Sequence, residues 1–260
     1  MKIIRYRSGD AAEWGVLDGD NVLATSGEPF VDLAPTHAVG RVGDVSLLPP
    51  VKPSSIVCIG RNYKAHAEEF GNDVPEAPLL FLKPPSSVIG PNAEIAYPAE
   101  SNRVDPEAEL VLVIGRSAFQ VPAAEAYSVI GGYTCGSDVT ARDIQKSDPG
   151  GQWTRGKGFD TFCPIGPWVE TDYDPRDVEV SCRVDGEVRQ LGRTKNFIFD
   201  IPYLIEYITR FTRLEPGDLV MTGTPEGVAP VEPGAKITVA VEGLGELTNT
   251  VVRAEERSSA

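Results

Sequence analysis

The chain has 260 residues and a formal net charge of −14, with 24 Lys and Arg against 38 Asp and Glu. So acidic a protein repels phosphate backbones and anionic lipid headgroups within a Debye length, which argues against nucleic acid and membrane surfaces as partners. Its 26 Gly and 22 Pro are scattered among apolar runs, which excludes a collagen repeat, low-complexity disorder and a plain helical bundle, and the length suffices for a core without disulfide or metal staples.

Residues 1–50 alternate short apolar segments with turn residues: Ile3 to Arg7, Trp14 to Leu17, a turn at Asp18-Gly19-Asp20, then Val22 to Ala24. This predicts a small β-rich N-terminal domain. Pro49, Pro50 and Pro53 follow as a connector, because proline denies the sheet a donor and keeps its predecessor extended, so a second domain is expected over residues 51–260. Asn62 to Phe70 reads as a short helix stopped by Gly71. Leu110-Val111-Leu112-Val113-Ile114 is a continuous apolar run, as in a strand covered on both faces. Ala123 to Val129 is expected to be helical behind Pro122. Phe199 to Phe211 sets Ile201, Leu204, Ile205 and Ile208 at helical spacing, and strands are expected at Leu219 to Thr222, Lys236 to Glu242 and Glu246 to Val252. Glu255 to Ala260 reads as a frayed tail. The fold class is therefore mixed and β-dominated, with helices outside.

The N-terminus lacks a signal peptide's apolar stretch, and no window reaches the ~18 apolar residues of a membrane span. Cys58, Cys135, Cys163 and Cys182 lie far apart with no C-x-x-C pair, so they are expected to be small buried hydrophobes in a reducing, cytoplasmic setting.

Glu107 and Glu109 stand at i and i+2 just before the apolar run, a spacing that puts both carboxylates on one strand face about 7 Å apart. Two solvated glutamates would show the same spacing. A third carboxylate, Asp138, follows another apolar stretch, and three carboxylate oxygens plus water suit Mg²⁺. His66 has Glu69 one helical turn away, a spacing that fits both an oriented general base and a surface His–Glu pair. His37 has no such partner and is expected to be structural. Gly151 with Gly156-Lys157 imitates a phosphate loop, but Gly158 replaces the required Ser or Thr and Pro164 and Pro167 follow, which rejects nucleotide binding. Lys157 is then either a fixed cation near the carboxylates or an ordinary surface lysine. No G-x-S-x-G elbow and no G-x-G-x-x-G fingerprint occur.

Several runs together resemble the fumarylacetoacetate hydrolase family, particularly its small bacterial members. They are Gly60-Arg61-Asn62-Tyr63-Lys64-Ala65-His66, Phe81-Leu82-Lys83-Pro84, Asp105-Pro106-Glu107-Ala108-Glu109-Leu110, Gly132-Tyr133-Thr134, Asp138 to Gln145, Trp153 to Lys157, Asp160-Thr161-Phe162 and Thr222 to Val228. In order and at sensible spacing they span residues 55–252. The resemblance implies a β-roll or β-sandwich core with peripheral helices, a homodimer, and Mg²⁺ (Mn²⁺ or Ca²⁺ as alternatives) held by Glu107, Glu109 and Asp138. It implies that His66 and Glu69 activate water from a short lid helix, that Lys157 and Gln145 meet the oxo-acid end of the substrate, that Arg142 supports the site and that Thr224 binds substrate. Pro106 departs from the family pattern, where an aromatic residue is usual, so an irregular strand edge is expected there.

The activity so implied is metal-dependent C–C hydrolysis of acylpyruvates or related β-diketo acids. The near alternative is decarboxylation or isomerisation of unsaturated dicarboxylic 2-oxo acids, as in aromatic catabolism, or oxaloacetate decarboxylation. A catalytically silent scaffold would predict a broken ligand set, whereas all three carboxylates are present.

Overall fold

The structure is a computed structural model that describes residues 1–69, 73–147 and 151–256. It is mostly β. Among the described residues the larger sheet has 12 strands. Its path runs from Ala34–Arg41 through Asn21–Ser26, Ala11–Asp18 and Lys2–Ser8 to Cys163–Glu170, then through Ile130–Ser137, Ala108–Ile114, Leu219–Met221 and Ile56–Gly60 to Leu79–Leu82. A five-stranded sheet orders Glu187–Arg193, Glu179–Val184, Lys236–Val241, Gly245–Arg253 and Glu94–Tyr97. The N-terminal strands join the larger sheet where Lys2 and Ile3 pair with Glu170 and Val169.

The central strand Ala108–Ile114 shows why its sequence is apolar without alternation. Leu110, Leu112 and Ile114 enter one core with Val180, Cys182, Val239 and Val241 of the smaller sheet. Val111 and Val113 enter a second core with Ile56, Cys58, Ile165, Leu219 and Met221. Both faces of the strand are thus buried, and alternate side chains serve different cores.

The helix Ile201–Thr209 is capped by Asp200, whose side chain accepts the Tyr203 N–H at 2.9 Å. Pro202 sits in its first turn, where no intrahelical donor is needed, and Ile201, Leu204, Ile205 and Ile208 form its buried stripe. The expected helix at residues 123–129 is a 3₁₀ helix, Ala123–Ser128, a form common in short connecting pieces. The helix at residue 62 starts later, as Lys64–Glu69; Phe70 and Gly71, assigned to its end, lie outside the described residues, as do 257–260 of the tail. All four cysteines are free and buried, and burial pushes the Cys135 and Cys163 thiols up to about 12. His37 is exposed on the strand Ala34–Arg41 and is not among the residues that line the cavity described next. No helix among the described residues is long and apolar enough to cross a membrane.

Candidate active site

The carboxylates meet where the central strand begins. Pro106 separates the short strand Val104–Asp105 from Ala108–Ile114, so the irregular edge expected there is present. The chain is held across the break by the Asp138 N–H, which donates to the Glu107 carbonyl at 2.9 Å. Glu109 keeps the phase of Val111 and Val113, and Asp138 follows directly on the neighbouring strand Ile130–Ser137. One oxygen from each of Glu107, Glu109 and Asp138 lies within 4.8 Å of the others, and all three residues are buried. The reading of Glu107 and Glu109 as solvated glutamates is thereby excluded.

Two buried lysines and one arginine surround this trio. Lys157, at the end of the short helix Trp153–Lys157, reaches Glu107 Oε2 at 2.8 Å, Asp138 Oδ2 at 2.5 Å and the Thr140 hydroxyl at 2.7 Å. It is only 2% exposed, so it is not a surface lysine. Arg142 donates to Asp105 Oδ2 and Gln145 Oε1, each at 2.8 Å, and to Glu107 Oε1. Burial alone would raise Glu107, but Lys157 and then Arg142 overrule it and hold this carboxyl well below the usual range. Burial would likewise lower Lys157 and Arg142, yet Asp138 and Glu107 keep the first, and Glu107 and Asp105 the second, above their ordinary values.

Glu109 differs. It accepts the Gly223 N–H at 2.8 Å and forms no ion pair among the described residues. Burial first, then the Asp138 charge, push its carboxyl well up. A buried carboxylate short of positive charge and facing two others is the electrostatic condition that a hard cation relieves, and three oxygen donors with room for water suit Mg²⁺, Mn²⁺ or Ca²⁺. The donor set therefore fits the expected metal. Gly223 makes the approach possible: its φ is +98°, and a Cβ there would stand 2.8 Å from Asn62 Cβ.

His66 is 7% exposed, on the helix Lys64–Glu69. Its Nδ1 lies 3.2 Å from Glu69 Oε2, while Glu69 Oε1 accepts the Gly227 N–H at 3.1 Å. Burial lowers the imidazole's affinity for a proton by more than Glu107 and Glu69 raise it, which leaves a neutral base near pH 7. His66, Glu107, Glu109, Asp138, Arg142, Gln145, Lys157 and Thr224 all line one cavity of about 240 Å³. Glu69 is tied to it through His66. The Thr224 hydroxyl is engaged within the protein, donating to the Ala108 carbonyl at 2.8 Å and accepting from Gln190 Nε2 at 2.7 Å.

Sequence reasoning missed Lys83, whose side chain is 0% exposed and donates to Asp138 Oδ1 at 2.6 Å and to the Val139 carbonyl at 3.1 Å. The available signal was a lysine directly behind the apolar run Leu79 to Leu82. Asp105, Asn62 and Gln190 were missed as well. Asn62 ties the turn before the His66 helix to two other segments, donating to the Phe199 carbonyl at 3.1 Å and the Thr222 carbonyl at 2.8 Å.

Acidic donors suited to a hard cation, grouped with basic side chains around one recess of a β-rich fold, are the features of a site for a small anion beside a metal. Comparison with known proteins supplies the family. Residues 55–252 match the family model for the fumarylacetoacetate hydrolase C-terminal domain, and residues 1–50 match an N-terminal model named for the mycobacterial protein Rv2993c. The chain belongs to the fumarylacetoacetate hydrolase family. The protein Rv2993c of Mycobacterium tuberculosis is 45% identical, covering 97% of this chain and 98% of its own length. A mitochondrial oxaloacetate tautomerase of Arabidopsis thaliana is 48% identical over 78% of this chain and 92% of its own, and a mitochondrial oxaloacetate decarboxylase of Dictyostelium discoideum 45% identical over 73% and 89%. Among solved structures, 5-carboxymethyl-2-hydroxymuconate delta-isomerase from Mycobacterium smegmatis superposes with a TM-score of 0.91 at 45% identity, covering 97% of this chain and all of that one. Fumarylpyruvate hydrolase from Pseudomonas aeruginosa, solved with Mn²⁺ and pyruvate, gives a TM-score of 0.74 at 39% identity, covering 80% and 92%. Members of the family are thus enzymes, among them hydrolases, isomerases and decarboxylases.

Proposed function

We propose that the protein is a metal-dependent hydrolase that cleaves a C–C bond in acylpyruvates or related β-diketo acids. The observation that carries this reading is the intact His66–Glu69 pair, whose buried imidazole lines the same cavity as Glu107, Glu109 and Asp138 while Glu69 holds it from the exposed side. A carboxylate-oriented imidazole is needed to activate water; loss of carbon dioxide does not require it, whereas tautomerisation or isomerisation can use it to move a proton.

Glu107, Glu109 and Asp138 would hold the divalent ion, which supplies Lewis acidity to the carboxylate and oxo oxygens of a 2-oxo acid. With Nδ1 engaged by Glu69, His66 takes the proton of water at Nε2 as the water oxygen adds to the distal carbonyl. The C–C bond then breaks, its electron pair passing into the enolate of the departing 2-oxo acid. Lys157, fixed by Glu107, Asp138 and Thr140, places an ammonium beside that developing charge. The protonated imidazole returns its proton to the enolate carbon, releasing a carboxylic acid and the 2-oxo acid. The likeness to fumarylpyruvate hydrolase bound to Mn²⁺ and pyruvate supports this assignment.

A second reading, decarboxylation or tautomerisation of oxaloacetate or isomerisation of an unsaturated dicarboxylic 2-oxo acid, is favoured by the relatives bearing those activities. It uses the same electron sink without water. Turnover of chelator-treated protein, with and without Mg²⁺, on acylpyruvates and oxaloacetate side by side separates the two. Mg²⁺-dependent loss of the acylpyruvate enol absorbance supports the hydrolase. Carbon dioxide from oxaloacetate with no acylpyruvate cleavage refutes it in favour of the second reading.

A further inference from the structure

The cavity is lined by basic side chains that this chemistry does not use. Four basic side chains line it, Arg61, Arg142, Lys146 and Lys157, against the three carboxylates. Lys157 and Arg142 are committed to Glu107, Asp138 and Asp105 at the distances given above. Arg61 is different: it is half-buried, lines the cavity, and its guanidinium has no ion pair or hydrogen bond among the described residues.

The backbone at Arg61 is also held in an unusual way. Its φ is +58°, in the left-handed region that few arginines adopt. On one side lies the buried strand Ile56–Gly60. On the other lies Asn62, whose amide donates to the Phe199 and Thr222 carbonyls and accepts the Phe199 N–H at 2.8 Å. Such a conformation persists where the surroundings over-determine it, and it clusters at ligand clamps.

We infer that Arg61 is a specificity-determining residue that receives a second carboxylate, at the end of the substrate away from the oxo acid. The inference rests on reading the cavity as a metal-assisted 2-oxo acid site. There the ion and Lys157 answer the oxo-acid end, and the apolar side chains of Ile59, Phe81 and Trp153 line the space for a carbon chain. A dicarboxylic substrate brings one more negative charge than a monocarboxylic acylpyruvate, and Arg61 is a lining cation with no ion pair or hydrogen bond among the described residues to compete for it. A planar guanidinium fork matches a carboxylate bidentately. The volume of about 240 Å³, below the roughly 300–1,000 Å³ of sites for drug-sized ligands, suits a small substrate with a chain of a few carbons.

The test is calorimetric binding to the Mg²⁺-loaded full-length protein of two 2-oxo acids that differ only at the far end, 2-oxoglutarate and 2-oxopentanoate, with pyruvate as the reference. Wild type is expected to bind 2-oxoglutarate at least about tenfold more tightly, the worth of one charge-assisted bond. Arg61→Gln is expected to reduce that ratio to about twofold or less, and Arg61→Lys to an intermediate value. A wild-type ratio near one overturns the inference without any variant. A high ratio that survives in Arg61→Gln overturns it too, as does equal weakening of both ligands, which would put Arg61 at the oxo-acid end. If pyruvate binding requires Mg²⁺, the underlying reading stands whatever the ratio. If no 2-oxo acid binds with Mg²⁺ present, that reading falls and the inference with it.

Discussion

Glu109→Gln should stabilise the metal-free protein while removing its response to Mg²⁺. The carboxyl is fully buried, accepts the Gly223 N–H, gains less from the Lys157 charge and faces the Asp138 charge. Stripping water from an unpaired carboxylate costs several kcal/mol even after relaxation, and one hydrogen bond to a charged acceptor returns about 1.5–3 kcal/mol. Glutamine keeps the Gly223 contact without the charge, so a net gain of about 2 kcal/mol is expected, or roughly 4–8 °C in Tm for a chain of this size. Wild type gains about 2.7 kcal/mol from a ligand at a hundred times its Kd, and the variant, short of one donor, gains little. The order of melting temperatures should therefore invert between chelator and saturating Mg²⁺, as read by differential scanning calorimetry. The reasoning is refuted if Glu109→Gln melts below wild type in chelator, or rises with Mg²⁺ as much as wild type does.

His66→Ala should lower acylpyruvate hydrolysis by about 10²–10⁴-fold, the usual worth of a positioned base, and spare oxaloacetate decarboxylation; equal loss of both in steady-state assays would deny it a separate water-activating role. Because burial, outweighing Glu107 and Glu69, lowers the His66 pKa from its ordinary 6.5, the neutral base survives as pH falls through 6.5, and the acid limb of kcat/KM should lie below that value. A limb centred above 6.5 would contradict the assignment. Lys83→Met removes one of the two buried cations at Asp138, leaving Lys157 on Oδ2, and should cost about 1.5–3 kcal/mol in urea unfolding of the chelated protein, the worth of a hydrogen bond to a charged group; a loss under about 0.5 kcal/mol would show that Asp138 does not depend on it.

Much of this site was legible in the sequence, for identifiable reasons. The run Leu110 to Ile114 reads as a doubly covered strand because both of its faces are apolar, and the i, i+2 spacing puts Glu107 and Glu109 in phase with Val111. The spacing His66 to Glu69 spans one helical turn and closes on itself. Burial was not legible: nothing in Trp153 to Lys157 distinguishes a lysine among carboxylates from one in water, because its partners Glu107 and Asp138 lie 50 and 19 residues away. Lys83 was invisible as a partner of Asp138 for the same reason, at a separation of 55 residues. The segment Ala123 to Val129 carries helix formers but is too short to choose α over 3₁₀ without its neighbours. Local pattern predicts what a residue does to its own backbone, whereas ion pairs across the cavity are made by strand order.

The central strand, wedged between two cores, has a consequence for how such an enzyme can diversify. Any change that shifts the Glu107–Glu109 end must repack Leu110, Leu112 and Ile114 on one side and Val111 and Val113 on the other. Ligand geometry is therefore expensive to alter. Arg61 and Lys146 stand instead on a turn and at a helix end. Substitutions there can exchange one substrate for another and leave the electron sink where it is. Such a division lets a lineage explore new chemistry at the rim while inheriting an unaltered centre.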